Sequence, residues 1–161
     1  MSHVYLELAE RIRGELTELE RAVKKALTSW EQAKRISGES AFLDSVALNL
    51  HAFYSGVERL FELTSKHIDG ELPNGPTWHK DLLWLMTKDK PDVRPAVISR
   101  DVAMALDDFR RFRHLVRNAY TMSLVPEKMS PLTSALERLW PILRAELSAF
   151  ADFVEALGNS I

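Results

Sequence analysis

Residues 12–30 read IRGELTELERAVKKALTSW, and their apolar side chains recur at intervals of four or three residues. An α-helix turns by about 100° per residue, so this spacing lines one face with apolar side chains and leaves the charged ones on the other. The apolar positions are Ile12, Leu16, Leu19, Val23, Leu27 and Trp30. The stretch therefore predicts a long amphipathic helix, over residues 4–36, whose apolar face must pack against another element.

The remainder of the chain repeats the same helical period. A second stripe begins at Phe42 and predicts a helix to Asp69, where the segment GELPNGP at 70–76 must end it. The sequence further predicts a short helix over 78–89 behind Thr77, a helix over 99–120 capped by Ser99, and a last one over 131–157. No bounded run alternates with the period of a strand. We therefore predict an all-α, up-and-down four-helix bundle with one extra short helix.

Composition limits the classes of protein to consider. The 161 residues suffice for a single domain, and 46% hydrophobic with 27% charged residues is typical of a soluble globular chain. The absence of cysteine excludes disulfides and thiolate chemistry, and the charged N-terminus lacks the apolar centre of a signal peptide. We expect a cytoplasmic protein without membrane segments. With a net charge of −2, binding to a polyanion would depend on a local basic cluster.

Residues 111–120, RFRHLVRNAY, supply such a cluster inside the helix predicted over 99–120. On a helical projection Arg113 falls in the middle of the apolar face, with Arg110 and Arg117 one turn before and after it. An unpaired guanidinium is too costly to bury. Arg113 must therefore meet a carboxylate of its own fold or line a cleft that admits an anionic ligand. The candidate carboxylates are Glu58 and Glu62 on the second helix and, more weakly, Asp107.

The segment RHLVRNAY at 113–120 resembles the signature of HepT-like HEPN-domain proteins, in which an arginine and a polar residue precede a histidine and a tyrosine. The stretches LNLHAFYSGVERLFEL and IDGELPNGPTWHKDLL resemble the same group in order and spacing, so that the likeness covers residues 42–154. The resemblance implies a dimerising all-α bundle that cleaves RNA without a metal. It also implies, in some systems, a nucleotidyltransferase antitoxin that adds AMP to the motif tyrosine.

The resemblance assigns roles to individual residues. Arg113 matches the arginine, His114 the variable polar position and Tyr120 the tyrosine that is nucleotidylated, but Asn118 stands where the catalytic histidine is usual. A guanidinium suits the phosphate of the transition state, and an imidazole transfers protons near neutral pH. An asparagine amide can orient a group but cannot exchange its proton. We therefore expect Arg113, Asn118 and His114 at the catalytic site and Arg110 and Arg117 in RNA binding.

Two alternatives remain for the missing histidine, and His114 could also be a partly exposed helix residue with no catalytic duty. His114 lies one turn before Asn118 and about 40° around the helix, so in a dimer it could take over the proton transfer. Alternatively, the protein is a catalytically inactive HEPN module that binds RNA or a partner.

Other sites are less evident in the sequence. The five histidines show no metal-ligand spacing and the glycines form no phosphate-binding loop, so we expect no metal and no cofactor. His79, at the start of the short helix, is interpreted as a packing residue, although a histidine at a helix start could also contact a phosphate. His51, Glu58 and Glu62 are interpreted as a polar network around Arg113. A second apolar strip predicts a homodimer interface or cover by another helix of the bundle; it comprises Met104, Phe112 and Leu115.

Overall fold

The computed structural model describes residues 2–118 and 125–161, without the side chains of Arg117 and Asn118. Tyr120, the predicted nucleotidylation site, lies outside the described residues. The helices are α1 His3–Arg35, α2 Ser40–Thr64, α3 Trp78–Leu85, α4 Arg100–Asn118 and α5 Pro126–Ser160, with a π-helical turn Ser65–Asp69 after α2.

The four long helices form a bundle. The first helix packs against both α2 and α5, α2 and α5 each contact α4, and the short α3 lies against α2 and α4. The stripe of α1 is buried as predicted at Ile12, Leu16, Leu19 and Val23. No β-strand occurs within 2–118 or 125–161, and the prediction of an all-α bundle is confirmed.

The second helix ends differently from its prediction. Regular α-helix stops at Thr64, and residues 65–69 continue as a π-helical turn that closes at Gly70 with a left-handed φ of 82°. Glycine has no Cβ and adopts this conformation without strain. The turn places the Asp69 carboxylate against Arg94, a contact that the apolar period of α2 does not encode.

Arg94 fixes the connection between α3 and α4. Its side chain is fully buried, and each of its five N–H groups has an acceptor. Nε and Nη2 donate to the two oxygens of Asp69 at 2.7 and 2.9 Å, and the other N–H groups donate to the carbonyls of Leu85, Lys88 and Pro95. These hydrogen bonds of Arg94 to Asp69 and the three carbonyls, which we call the Arg94 clamp, fix the loop between α3 and α4.

Two predicted helix boundaries were wrong. The short helix ends at Leu85 instead of residue 89, because the carbonyl of Met86 turns to accept hydrogen bonds from Val97 and Ile98. The last helix begins at Pro126 instead of residue 131. Both prolines suit the first position of a helix, and Pro126, the earlier one, takes it while Pro131 is carried inside.

The start of α4 agrees with its prediction. The hydroxyl of Ser99 accepts a hydrogen bond from the backbone N–H of Val102, and its carbonyl accepts one from Ala103. The backbone N–H of Ser99 donates to Glu146 of α5, which ties the start of α4 to the last helix. The cap therefore fixes the register in which α4 presents its residues to the core.

Candidate functional site

Arg113 lies on the buried face of α4, where the helical period placed it. Val102, Leu106 and Phe109 precede it along that face and are almost entirely buried, and Arg113 itself is only 5% exposed. A guanidinium at this depth requires a compensating charge.

Glu58 of α2 provides that charge. Nη2 of Arg113 donates to both carboxylate oxygens of Glu58 at 2.9 Å, and Nη1 lies 3.4 Å from the hydroxyl of Ser55. Glu58 is as deeply buried as Arg113. Of the two environments expected for Arg113, the structure shows the carboxylate of its own fold, and it selects Glu58 from the three candidates.

His79 of α3 completes the cluster. Its Nδ1 lies 2.8 Å from Oε2 of Glu58 and 3.2 Å from Nη2 of Arg113. A carboxylate only accepts hydrogen bonds, so the shorter contact assigns the hydrogen to Nδ1, which donates it to Glu58. The lone pair of the neutral ring then lies on Nε2. We call Glu58, His79 and Arg113 the Glu–His–Arg cluster.

The cluster reaches the surface at His79. The side chain of His79 is 31% exposed, whereas those of Glu58 and Arg113 are 6% and 7% exposed. The indole of Trp78 lies against the imidazole with ring centroids 3.6 Å apart and an interplanar angle of 30°. In the part of the chain that the structure describes, Nε2 of His79 has no hydrogen-bond partner. The imidazole is thus held at Nδ1, and about a third of its side chain is exposed.

Tyr54 forms the floor of the cluster. Its ring face lies 4.9 Å from Cζ of Arg113, a cation–π contact within the core. Burial raises the pKa of its hydroxyl, and the negative charge of Glu58 raises that pKa further. The tyrosine therefore stays neutral and acts as an apolar support for the guanidinium.

Glu62 lies one turn after Glu58 and is half-buried. Burial raises the pKa of its carboxyl, and the charge of Glu58 adds to the increase, whereas His79, Arg113 and Arg59 oppose it. The predicted polar network around Arg113 thus has Glu58 in direct contact and Glu62 as an electrostatic neighbour.

The other arginines of the motif are partly compensated. Arg110 donates from Nε to Asp107 at 2.7 Å, and Arg111 pairs with Asp108 on the exposed side of the same helix. The side chain of Arg117 lies outside the described part. The basic cluster predicted from sequence is therefore interleaved with acidic residues, and its net positive charge is smaller than the arginines alone indicate.

The remaining predicted residues lie around this site on α4. His114 follows Arg113 and is exposed, while the side chain of Asn118 is outside the description. Met104 and Leu115 of the second apolar strip are exposed, but Phe112 is buried by the bundle itself. The strip is thus divided between surface and core.

The sequence did not predict the contact of His79 with Glu58 and Arg113, because His79 is interpreted there as a packing residue. The histidine lies 21 residues from Glu58 and 34 from Arg113, so no helical period links the three. The one local signal is its place at the start of α3, directly after the turn-forming segment 70–76.

Within 2–118 and 125–161, no group of three or more potential ligands could hold a metal ion. None of the helices over these ranges has the length and apolar character needed to cross a bilayer.

Comparison with known proteins gives one match. The model of a family described as "HepT-like protein" matches residues 45–154, more than half of the chain, and this region contains all three members of the Glu–His–Arg cluster. No curated protein and no solved structure matches the chain.

Proposed function

Since this chain belongs to the HepT-like family of HEPN-type proteins, we propose that it is a metal-independent endoribonuclease of a toxin–antitoxin system. The 2′-hydroxyl of a ribose attacks the adjacent phosphate, the bond to the 5′-oxygen breaks, and a cyclic phosphate and a free 5′-hydroxyl remain. This chemistry needs positive charge near the phosphate and a group that moves a proton.

The observation that carries the proposal is the opening of the Glu–His–Arg cluster to the surface at His79. The cluster joins the family's motif arginine to an accessible imidazole through a buried carboxylate. A scaffold that only had to neutralise Arg113 would need Glu58 and no histidine. In this proposal Arg113 fixes Glu58 in the interior of the bundle, and RNA binds at the surface next to His79.

Charge for RNA binding comes from Arg111, which is exposed, from the half-buried Arg110, and from Arg117 near the end of α4. The side chains of Arg110 and Asp107 are only 18% and 17% exposed. The pair of Arg111 with Asp108 is exposed, and such pairs contribute about 0–1 kcal/mol. A phosphate can therefore replace the aspartate. We include His114 and Asn118 as contacts to the reacting groups and a homodimer whose two motif helices form the cleft.

Tyr120 is included in the proposal as the acceptor of AMP from a nucleotidyltransferase partner. Modification there would add a phosphate next to the motif and oppose RNA binding by like charge. Incubation with such an enzyme and ATP should increase the mass of the protein by one AMP, and Tyr120→Phe should abolish that increase.

A second candidate is a HEPN module that binds RNA or a partner protein without turnover. The specific observation in its favour is that Glu58 compensates Arg113 while Asn118 replaces the usual histidine. In that case, the cluster serves stability, and the arginines of α4 bind a polyanion that is never cut.

The test is incubation of the purified protein with a single-stranded RNA oligonucleotide in EDTA, with the 2′-O-methylated oligonucleotide as control. We expect cleavage of the RNA to products with cyclic phosphate ends, and no cleavage of the methylated strand, which has no free nucleophile. Binding is measured in parallel by electrophoretic mobility shift, and Asn118→His is assayed beside the wild type.

The two functions give different results. If the wild type binds both strands and cuts neither, whereas Asn118→His cuts the RNA, the protein is a binding module. If neither protein binds or cuts, both candidates are wrong. If the wild type cleaves the RNA without EDTA but not with it, the reaction is not metal-independent, although the protein is still a ribonuclease.

A further inference from the structure

Building on the proposed ribonuclease function, we infer that His79 is the catalytic residue that accepts the proton of the 2′-hydroxyl, in place of the histidine that Asn118 replaces. The inference rests on the position of His79 at the exposed edge of the Glu–His–Arg cluster, 2.8 Å from Glu58. It assigns the proton transfer to α3, outside the motif of α4.

The contact between Glu58 and His79 prepares the imidazole for this role. With Nδ1–H donated to Oε2 of Glu58, the lone pair is fixed on Nε2 and the ring cannot rotate without breaking the bond. When Nε2 takes a proton, the imidazolium that forms lies directly against a carboxylate. A histidine oriented by a buried carboxylate in this way is the usual arrangement of a general base.

Arg113 makes the carboxylate available. A lone buried carboxylate would be costly, and Nη2 of Arg113 compensates its charge at 2.9 Å from both oxygens. Because each carboxylate oxygen has two lone pairs, Oε2 can accept from His79 as well as from Arg113. Arg113 is in this sense a positioning residue, and its burial is compatible with catalysis.

Trp78 limits the motion of the imidazole from its other side. Its ring lies 3.6 Å from that of His79 between centroids and is itself half-buried against the core. An aromatic surface next to the proton acceptor also offers a stacking platform for a base of single-stranded RNA. The substrate that fits this edge is therefore an unpaired nucleotide followed by its 3′-phosphate.

The step balances as follows. Nε2 of His79 takes the proton of the 2′-hydroxyl while the bond from the 2′-oxygen to phosphorus forms. The bond from phosphorus to the 5′-oxygen breaks, and the leaving oxygen takes a proton from water. His79 then returns its proton to the solvent, and no oxidant, reductant or metal is consumed.

The experiment uses the full chain and the same RNA oligonucleotide in EDTA. His79→Ala removes the imidazole and leaves a space for free imidazole, whereas His79→Gln retains an amide that can donate to Glu58 but cannot accept the proton. His114→Gln tests the competing histidine on α4, and His3→Gln, at the far end of α1, is the control. Thermal unfolding of each variant shows that the fold is retained.

We expect both His79 variants to cleave about 10²–10⁴-fold more slowly than the wild type. Added imidazole should restore much of the rate of His79→Ala and none of that of His79→Gln. The control His3→Gln should cleave at the rate of the wild type.

Other outcomes overturn the inference in distinguishable ways. Undiminished cleavage by His79→Ala, or loss in His114→Gln alone, would leave the ribonuclease intact and assign the proton to another group. If His79→Ala cleaves slowly and free imidazole does not restore its rate, His79 has only a structural role. An inactive wild type would remove both the inference and the ribonuclease on which it rests.

Discussion

Glu58 and Arg113 lie 55 residues apart in the chain and meet in the interior of the bundle through a single nitrogen, Nη2, which contacts both carboxylate oxygens at 2.9 Å. Each is about 5% exposed. The pair thus links α2 to α4 at Arg113, the residue of the α4 motif that is buried in the core. Its contribution to stability and its contribution to function can be measured separately.

Replacing Glu58 by alanine should lower the free energy of unfolding by about 3–5 kcal/mol, because the guanidinium of Arg113 would remain buried without its partner. Replacing both residues by apolar ones, as in Glu58→Leu with Arg113→Met, removes the uncompensated charge. The double variant should recover most of the loss. Urea unfolding of the wild type, Glu58→Leu, Arg113→Met and the double variant measures the coupling.

The control for this cycle is Glu20→Ala, which breaks the exposed pair between Glu20 and Arg144. That change should cost less than about 1 kcal/mol. If Glu58→Ala lowers the free energy of unfolding no more than Glu20→Ala does, the buried Glu58–Arg113 pair does not stabilise the bundle.

Glu62 gives a prediction of opposite sign. Its pKa is raised in the folded protein by burial and by the charge of Glu58, so the folded state holds the proton of Glu62 more tightly than the unfolded chain does. Its ionised form therefore destabilises the fold at neutral pH, and this penalty disappears as the pH falls below the unfolded pKa, about 4. Glu62→Gln should be more stable than the wild type at pH 7.

The measurement is chemical unfolding of both proteins between pH 4 and pH 8. The excess stability of Glu62→Gln should shrink as the pH is lowered and vanish near pH 4. An excess that is constant across the range would show that the amide improves packing and that the charge of Glu62 is irrelevant.

The helices and the buried position of Arg113 could be predicted because both are encoded locally. Apolar residues at intervals of three and four define a face, and a charged residue on that face must find a partner inside the fold. Glu58 was among the candidates for that partner because it borders the stripe of α2. Period alone could not choose it over Glu62, since the choice depends on how α2 and α4 are rotated against each other.

The place of His79 could not be predicted, because a contact between three separate helices has no sequence period. The π-helical turn at 65–69 could not be predicted for the same reason, because it accompanies a contact between Asp69 and Arg94, 25 residues later. Pro126 and Pro131 both suit the first position of α5, so proline preference alone does not distinguish the two starts. The sequence period thus predicts the buried faces of the helices, while tertiary contacts determine several helix ends and the site.

The Arg94 clamp should be sensitive to a change that keeps the charge. Lysine has three donors on one nitrogen, so Arg94→Lys cannot satisfy Asp69 and three backbone carbonyls at once. At least two buried acceptors would lose their donors, at about 1–3 kcal/mol each. We expect a loss of about 3 kcal/mol or more in urea unfolding.

The matched change at the surface is Arg144→Lys, whose side chain is more than half exposed. It should alter the free energy of unfolding by less than about 1 kcal/mol. Equal effects of the two substitutions would mean that charge alone, and not the five-donor geometry, holds the loop between α3 and α4.

Two glycines inside helices offer an internal comparison of packing with helix propensity. A Cβ at Gly14 of α1 would meet nothing within 4 Å, whereas a Cβ at Gly56 of α2 would lie 2.7 Å from Cδ2 of Leu19 and 2.8 Å from Oε1 of Glu15. Alanine is favoured over glycine in a helix by about 1 kcal/mol. Gly14→Ala should therefore stabilise the protein by up to that amount.

At Gly56 the same gain is opposed by the clash. Glu15 can swing into solvent at the cost of its pair with Arg59, but Leu19 is 1% exposed and must shift within the packed interface of α1 and α2. Overpacking a core typically costs about 1–3 kcal/mol, which exceeds the gain in propensity. Gly56→Ala should lower the unfolding midpoint in urea while Gly14→Ala raises it; if both raise it, α1 and α2 are free to separate, and Gly56 is not required for their close approach.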